Sequence, residues 1–206
     1  MLNCDTEKLY DRLNQILPKI TGDSFLKGKG LGNEIAFYIF DYPPECELEV
    51  RKHIELLVEQ VPRQKNGVRI THVNLFHLIV DYLNEKNLLE KSYEMQKTKG
   101  NAQLLKALRG TLNEEKIAKK IVEFAKPEEN EIIFISGVGA SYPLLRSHTL
   151  LNNLHSLTGE STVIMFYPGH FDKVSLRLFG KTGLLGDVKD ENKKSVNYYR
   201  AFKLVE

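Results

Sequence analysis

Apolar residues recur at helical spacing over residues 5–20, where Leu9, Leu13, Ile16, Leu17 and Ile20 fall on one face. The rhythm stops at the glycine-rich stretch Gly28-Lys29-Gly30-Leu31-Gly32-Asn33 and restarts as an unbroken apolar run over Ile35–Phe40. A short continuous run of this kind is the pattern of a strand buried on both faces, as in a parallel sheet. Asp41 is expected to end the strand, and Pro43-Pro44 forbids its continuation. A helix follows with Val50, Ile54, Leu57, Val58 and Val61 on one face. Residues 68–73 predict a second strand, and residues 74–87 its helix, with Phe76, Ile79, Val80 and Leu83 turned inward. Residues 88–126 read as helical in two or three pieces, broken or capped at Gly100 and Gly110. Asn113 is placed to cap the last piece, which carries Ile117, Ile121 and Phe124.

Ile132–Ser136 predicts a third buried strand that runs into a Gly137-Val138-Gly139 turn. A helix over residues 142–157 is expected next, with Ser141 as its N-cap and Pro143 in its first turn. Thr162–Phe166 predicts a fourth strand, stopped by Pro168-Gly169. Leu176–Phe179 is short and alternating, residues 181–196 read as a mobile loop, and Asn197–Val205 reads as a last strand. Strands alternating with helices imply βαβ units. The expectation is one α/β domain over residues 1–206, with a mostly parallel central sheet of about five strands flanked by helices and a helical insert at 88–126. Such a fold is P-loop-NTPase-like or Rossmann-like, here without a complete phosphate loop.

The 206 residues, 42% of them hydrophobic, suffice for one sizeable core. A net charge of +2 supplies no global field, which argues against direct nucleic-acid binding and against an anionic membrane. Lys189, Lys193, Lys194, Arg200 and Lys203 leave a local basic patch open. No apolar run is long enough to span a bilayer. Cys4 and Cys46 show neither metal spacing nor a disulfide framework, and the N-terminus lacks the pattern of a signal peptide. Together these features predict a protein of the reducing cytoplasm.

The glycine turn is the first candidate for chemistry. It ends a strand and opens a helix, where α/β sheets bind ligands and free N–H groups attract anions. A P-loop, however, needs a Lys-Ser/Thr pair after its glycines, and Ser141-Tyr142-Pro143 stands there instead. A dinucleotide fingerprint needs a third glycine where Tyr142 stands. The bland alternative is a tight turn in which glycine lets strand and helix pack closely. The Gly28–Asn33 stretch precedes a strand rather than following one, so it reads as a lead-in loop. Asp41 resembles the carboxylate at the end of a magnesium-binding strand, yet no phosphate loop lies upstream. It serves equally well as a turn cap or an arginine's partner.

His53, His72, His77, His148, His155 and His170 form no metal-ligand grouping, and no metal or cofactor is implied. His148 stands out because it flanks Arg146 after the glycine turn. Arg177 shares a strand face with Phe179, and Arg200 lies between Tyr198 and Phe202. Such arginines either pair with a carboxylate, here Asp41 or Asp172, or join Arg146 in a site for an anion or a partner protein.

The run from Ser136 to Leu154, together with Phe40-Asp41-Tyr42-Pro43, Phe166–Gly169, Ser175–Gly180 and Asn197–Phe202, resembles BrxB. That family is the B component of the bacteriophage exclusion (BREX) defence systems. The resemblance spans nearly the whole chain. It implies a role beside a methyltransferase, an AAA-type ATPase and the alkaline-phosphatase-like protein PglZ, as a non-catalytic partner that stops phage propagation. The surface such a partner would present includes Gly137, Gly139, Ser141, Arg146, His148, Arg177, Arg200 and Asp41. A degenerate nucleotide-binding, ATPase-like protein is the alternative that the sheet, the glycine turn and Asp41 leave open.

Overall fold

A computed structural model describes residues 4–27, 37–173, 175–180 and 201–206. The first amphipathic stretch forms two helices, α1 (Thr6–Leu13) and α2 (Ile16–Thr21), followed by a short α3 (Asp23–Lys27). The Asp5 carboxylate caps α1 by accepting from the Lys8 amide. Strand β1 (Phe37–Tyr42) includes Asp41 within its length rather than ending at it. A 3₁₀ turn (Pro44–Cys46) leads into α4 (Glu47–Gln64), whose Val50, Ile54, Leu57 and Val61 are buried at the predicted spacing. Strand β2 (Ile70–Asn74) is followed directly by α5 (Leu75–Glu85), because the Asn74 side chain accepts from the Phe76 and His77 amides. Ile79 and Leu83 face inward as expected, but Phe76 is exposed: the buried stripe is set by Leu75, Ile79, Tyr82 and Leu83 instead.

Helix α6 (Leu89–Leu108) is kinked at Gly100, which has left-handed φ of 77°, and buries only Ser92 and Leu108. Helix α7 (Glu114–Ala125) is capped by Asn113 and packs Ile117, Ala118 and Ile121 onto the sheet layer, with Phe124 pointing to solvent. Strand β3 (Ile132–Ser136) is buried at every position. The helix expected over 142–157 forms only as α9 (Ser147–His155); a separate short helix, α8 (Val138–Ser141), precedes it, and a cis Tyr142–Pro143 peptide lies between them. Helix α8 starts at once after Gly137, so Ser141 is not an N-cap; its hydroxyl donates back to the Gly137 carbonyl at 2.8 Å. Strand β4 (Thr162–Phe171) continues through Pro168-Gly169 instead of stopping there. Pro168 is the last residue paired with β1, so its missing N–H breaks no inner ladder, and residues 169–171 turn to pair antiparallel with β5 (Leu176–Leu178). Of the last predicted strand, Asn197–Val205, residues 197–200 lie outside the described residues, and β6 (Ala201–Lys203) ends two residues before the predicted end. The expected loops at 28–33 and 181–196, and Arg200, lie outside the described residues.

The main sheet has the order β2-β3-β4-β1-β6, and all four pairings are parallel. Alternate strand residues feed two cores. Ile39, Ile133, Ile135, Val163 and Met165 pack under α5, α7 and α9. Phe40, Phe134, Ile164 and Phe166 pack under α1, α2 and α4. The mostly parallel, helix-flanked α/β architecture is therefore as predicted.

Two features bear on function. Strand β2 is an edge: among the described residues no strand pairs with its outer side. The Arg69 carbonyl accepts from the Ile132 amide at 3.2 Å, so the backbone groups of Thr71 and Val73 point to β3 while those of Ile70 and His72 point outward. Second, Cys4 and Cys46 are bonded to each other, joining the chain before α1 to the start of α4. This corrects the expectation that no disulfide is implied and removes the cysteine pattern as a ground for a reducing compartment; a separation of 42 residues is invisible as a framework when only two cysteines are present. Thiol titration of the unfolded, unreduced chain is expected to detect no free thiol, and to detect both after reduction; two free thiols before reduction would contradict the bond.

Candidate functional site

The connection after β1 leaves to one face as α4, whereas those after β2 and β3 leave to the other as α5–α7 and α8–α9. The carboxyl ends of β1 and of the neighbouring β4 therefore flank the crevice in which open α/β sheets hold ligands. Here that crevice is occupied by the protein itself. Asp41 is buried, and its Oδ1 accepts from Arg12 Nη2 at 2.8 Å while its Oδ2 accepts from the Phe171 amide at 3.0 Å. Lys203 Nζ lies 3.6 Å from Oδ1, and His170 Nδ1 lies 3.5 Å from Oδ2. Arg12 also donates to the carbonyls of Asp41 and Val205 and lies over the Phe40 ring at 4.8 Å. One carboxylate thus ties together α1, β1, the end of β4 and β6.

The glycine turn is equally filled. Gly137 has φ of 72°, and a Cβ there would stand 2.5 Å from Asn74 Oδ1, the atom that caps α5. A Cβ on Gly139 would meet Pro168 Cγ at 3.0 Å and the Phe179 ring at 3.1 Å. Tyr142 meets the same Phe179 ring edge-on, and a Cβ on Gly169 would sit on the Arg177 carbonyl. The β4–β5 hairpin therefore lies directly against the turn, where a phosphate loop would leave space for its ligand.

The predicted site residues are only partly gathered. Asp41, His170 and Arg177 meet around the hairpin, since His170 and Arg177 are cross-strand partners. Arg177 pairs with Asp172 at 3.1 Å, one of the two carboxylates expected for it. Arg146 is exposed just before α9, and its amide donates to Glu114 on α7 at 3.2 Å; no described contact joins it to Arg177. His148 is half-buried in the first turn of α9. Arg12 and the Phe171 amide are not among the residues expected at the site, and Lys203 is expected only as part of a local basic patch. Arg12 did carry a signal, as a charged residue beside the Leu9–Leu13–Ile16 stripe.

A second concavity, about 800 Å³, runs along the open edge of β2 between α4 on one side and α5 and α7 on the other. At its floor His72 Nε2 lies 2.7 Å from Ser136 Oγ, holding β2 to β3. Ser136 is buried, and among the described residues no carboxylate hydrogen-bonds His72. Burial holds His72 below the ordinary histidine value of 6.5; the negative charge of Glu55 opposes this and His77 adds to it. His53 is likewise lowered by burial, against a backbone hydrogen bond at Leu13. For both, the unfolded chain binds protons that the folded chain refuses, so stability is full above pH 6.5 and falls as the pH drops below it. Thermal melts at pH 7.5 and 5.5 are expected to show this loss, and His53→Gln with His72→Gln to flatten it. Among the described residues no group of three or more His, Cys, Asp or Glu side chains could hold a metal ion, and no helix is long and apolar enough to cross a membrane.

Fold and site define an open parallel α/β sheet, covered on both faces, whose ligand crevice is closed by a buried carboxylate and a hairpin. A family model described as "BREX protein BrxB" matches residues 71–204. A protein of that name from Bacillus cereus (strain H3081.97) is 41% identical over 203 residues, covering 97% of this chain and 98% of the relative. Another of that name from Escherichia coli O9:H4 (strain HS) is 38% identical over 194 residues, covering 94% and 90%. The chain belongs to the BrxB family of the BREX phage-defence systems. No solved structure matches it significantly.

Proposed function

We propose that this chain serves its phage-defence system as a non-catalytic binding subunit, acting in the cytoplasm as a scaffold for other proteins of the system. The observation that carries this reading is the occupied crevice. The Asp41 oxygens are taken by Arg12 and the Phe171 amide, the Asn74 side chain fills the space at Gly137, and the hairpin fills that over Gly139. What such a fold offers outward is a rigid sheet with an open edge and exposed apolar side chains, among them Phe124 and Phe76. The family's other components, a methyltransferase, an AAA-type ATPase and PglZ, are the expected partners. Affinity purification of the full chain from cells carrying the whole system, at low salt, should retain at least one of them in near-stoichiometric amount. Recovery of none would overturn the reading. The competing reading, a degenerate nucleotide-binding protein, is favoured only by the left-handed Gly137 at the end of β3.

A further inference from the structure

We propose that the open edge of β2 is a docking site for an extended, Lys- or Arg-bearing segment of another protein of the system, which adds to the sheet as a further strand. This deepens the binding-subunit reading and rests on it. Three observations carry it. The edge itself is available: the backbone N–H and C=O groups of Ile70 and His72 point away from β3, and β2 is half-exposed where β3 is wholly buried. Groups of this kind are a template for a further strand.

The cleft beside the edge is acidic. Glu55, Asp81, Glu85 and Glu123 line it against only Arg51 and Lys120. Lys120 is already spent on Glu85 and Glu123, at 3.0 and 3.1 Å, and Arg51 on Glu47 at 2.7 Å outside the cleft. Glu55 and Asp81 have no ion pair among the described residues. A basic segment would supply their counter-charges, whereas a second copy of this chain would bring the same carboxylates and be repelled. The third observation is Phe124, 61% exposed on the wall of this cleft, an aromatic anchor of the kind that dominates binding energy. In an added strand, side chains alternate between the two faces of the sheet, so basic residues at one set of alternate positions would face Glu55 on α4 and those at the other set Asp81 and Glu85 on α5, while backbone bonds fix the register. β2 is five residues long, which sets the length of the segment.

The test compares the isolated chain with the complex purified from cells carrying the whole system, its partner identified by mass spectrometry. In hydrogen–deuterium exchange, the Ile70 and His72 amides are expected to exchange at least tenfold more slowly in the complex. Glu55→Lys with Asp81→Lys, both at exposed helical positions, should lower partner retention at least tenfold, and Phe124→Ser should lower it several-fold. Circular dichroism of these variants should match that of the unaltered chain. If the unaltered chain retains a partner while those two amides exchange as before, or while the charge-reversed variant retains it in full, the docking site is wrong and the binding role stands. If the unaltered chain retains no partner, both fall. Protection of the same amides in a dimer of the isolated chain would show the edge to be a self-association surface and also overturn the inference.

Discussion

Asp41→Ala is expected to destabilise the fold by about 3 kcal/mol, because removing one member of a buried ion pair strands the other. The lower end of the usual range applies, since the Arg12 side chain is 22% exposed and keeps the Asp41 and Val205 carbonyls as acceptors. The Phe171 amide also loses its acceptor, so the junction between β4 and its hairpin should loosen with it. Asp41→Asn keeps an oxygen for that amide and should cost less. Arg177→Ala removes an exposed pair with Asp172 and should cost under about 1 kcal/mol. Denaturant titration of the three variants separates the cases. An Asp41→Ala protein as stable as the unaltered chain would mean that the crevice network is not structural.

Gly137→Ala is expected to cost about 2–3 kcal/mol, combining roughly 1–2 for a non-glycine residue in the left-handed region with about 1 for the lost Asn74 cap. The cap is lost because Asn74 Oδ1 stands 2.5 Å from where the new methyl must go. The two contributions are separable. In an Asn74→Ala background the substitution meets no carboxamide, so only the backbone cost should remain, and a double-mutant cycle should return a coupling of about 1 kcal/mol. Additive effects would show that turn and cap are independent. Gly139→Ala acts differently, pressing on Pro168 and Phe179, and should loosen the hairpin rather than the start of α5.

These two positions also show what was legible in the sequence. Gly137-Val138-Gly139 was visible as a turn after a buried strand, and β3 lies where the apolar run placed it. What fills the turn was not visible, because Phe179 and Pro168 reach it only through a hairpin that pairs after Pro168-Gly169. Local turn chemistry reads those two residues as a stop; tertiary pairing overrides it. The same holds for Asp41. Its position at the crevice followed from the strand, but Arg12, 29 residues earlier, and Phe171, 130 residues later, are brought to it only by the sheet order. Phe76 and Phe124 depart from the expected inward facing for a different reason. Each sits one position off a stripe that the remaining apolar residues already fill, so their exposure is legible only once the burial of Tyr82 and Ala118 is seen. The cleft beside β2 has no signature in the sequence, because its carboxylates come from three helices separated along the chain.

Whether the crevice is closed is read most directly by titration calorimetry of the full chain with magnesium–ATP and magnesium–GTP at millimolar concentration. A crevice filled by Asp41, its partners and the hairpin predicts no saturable heat with either nucleotide. Saturable binding that Gly137→Ala abolishes would place a ligand at the glycine turn and contradict the binding-subunit account.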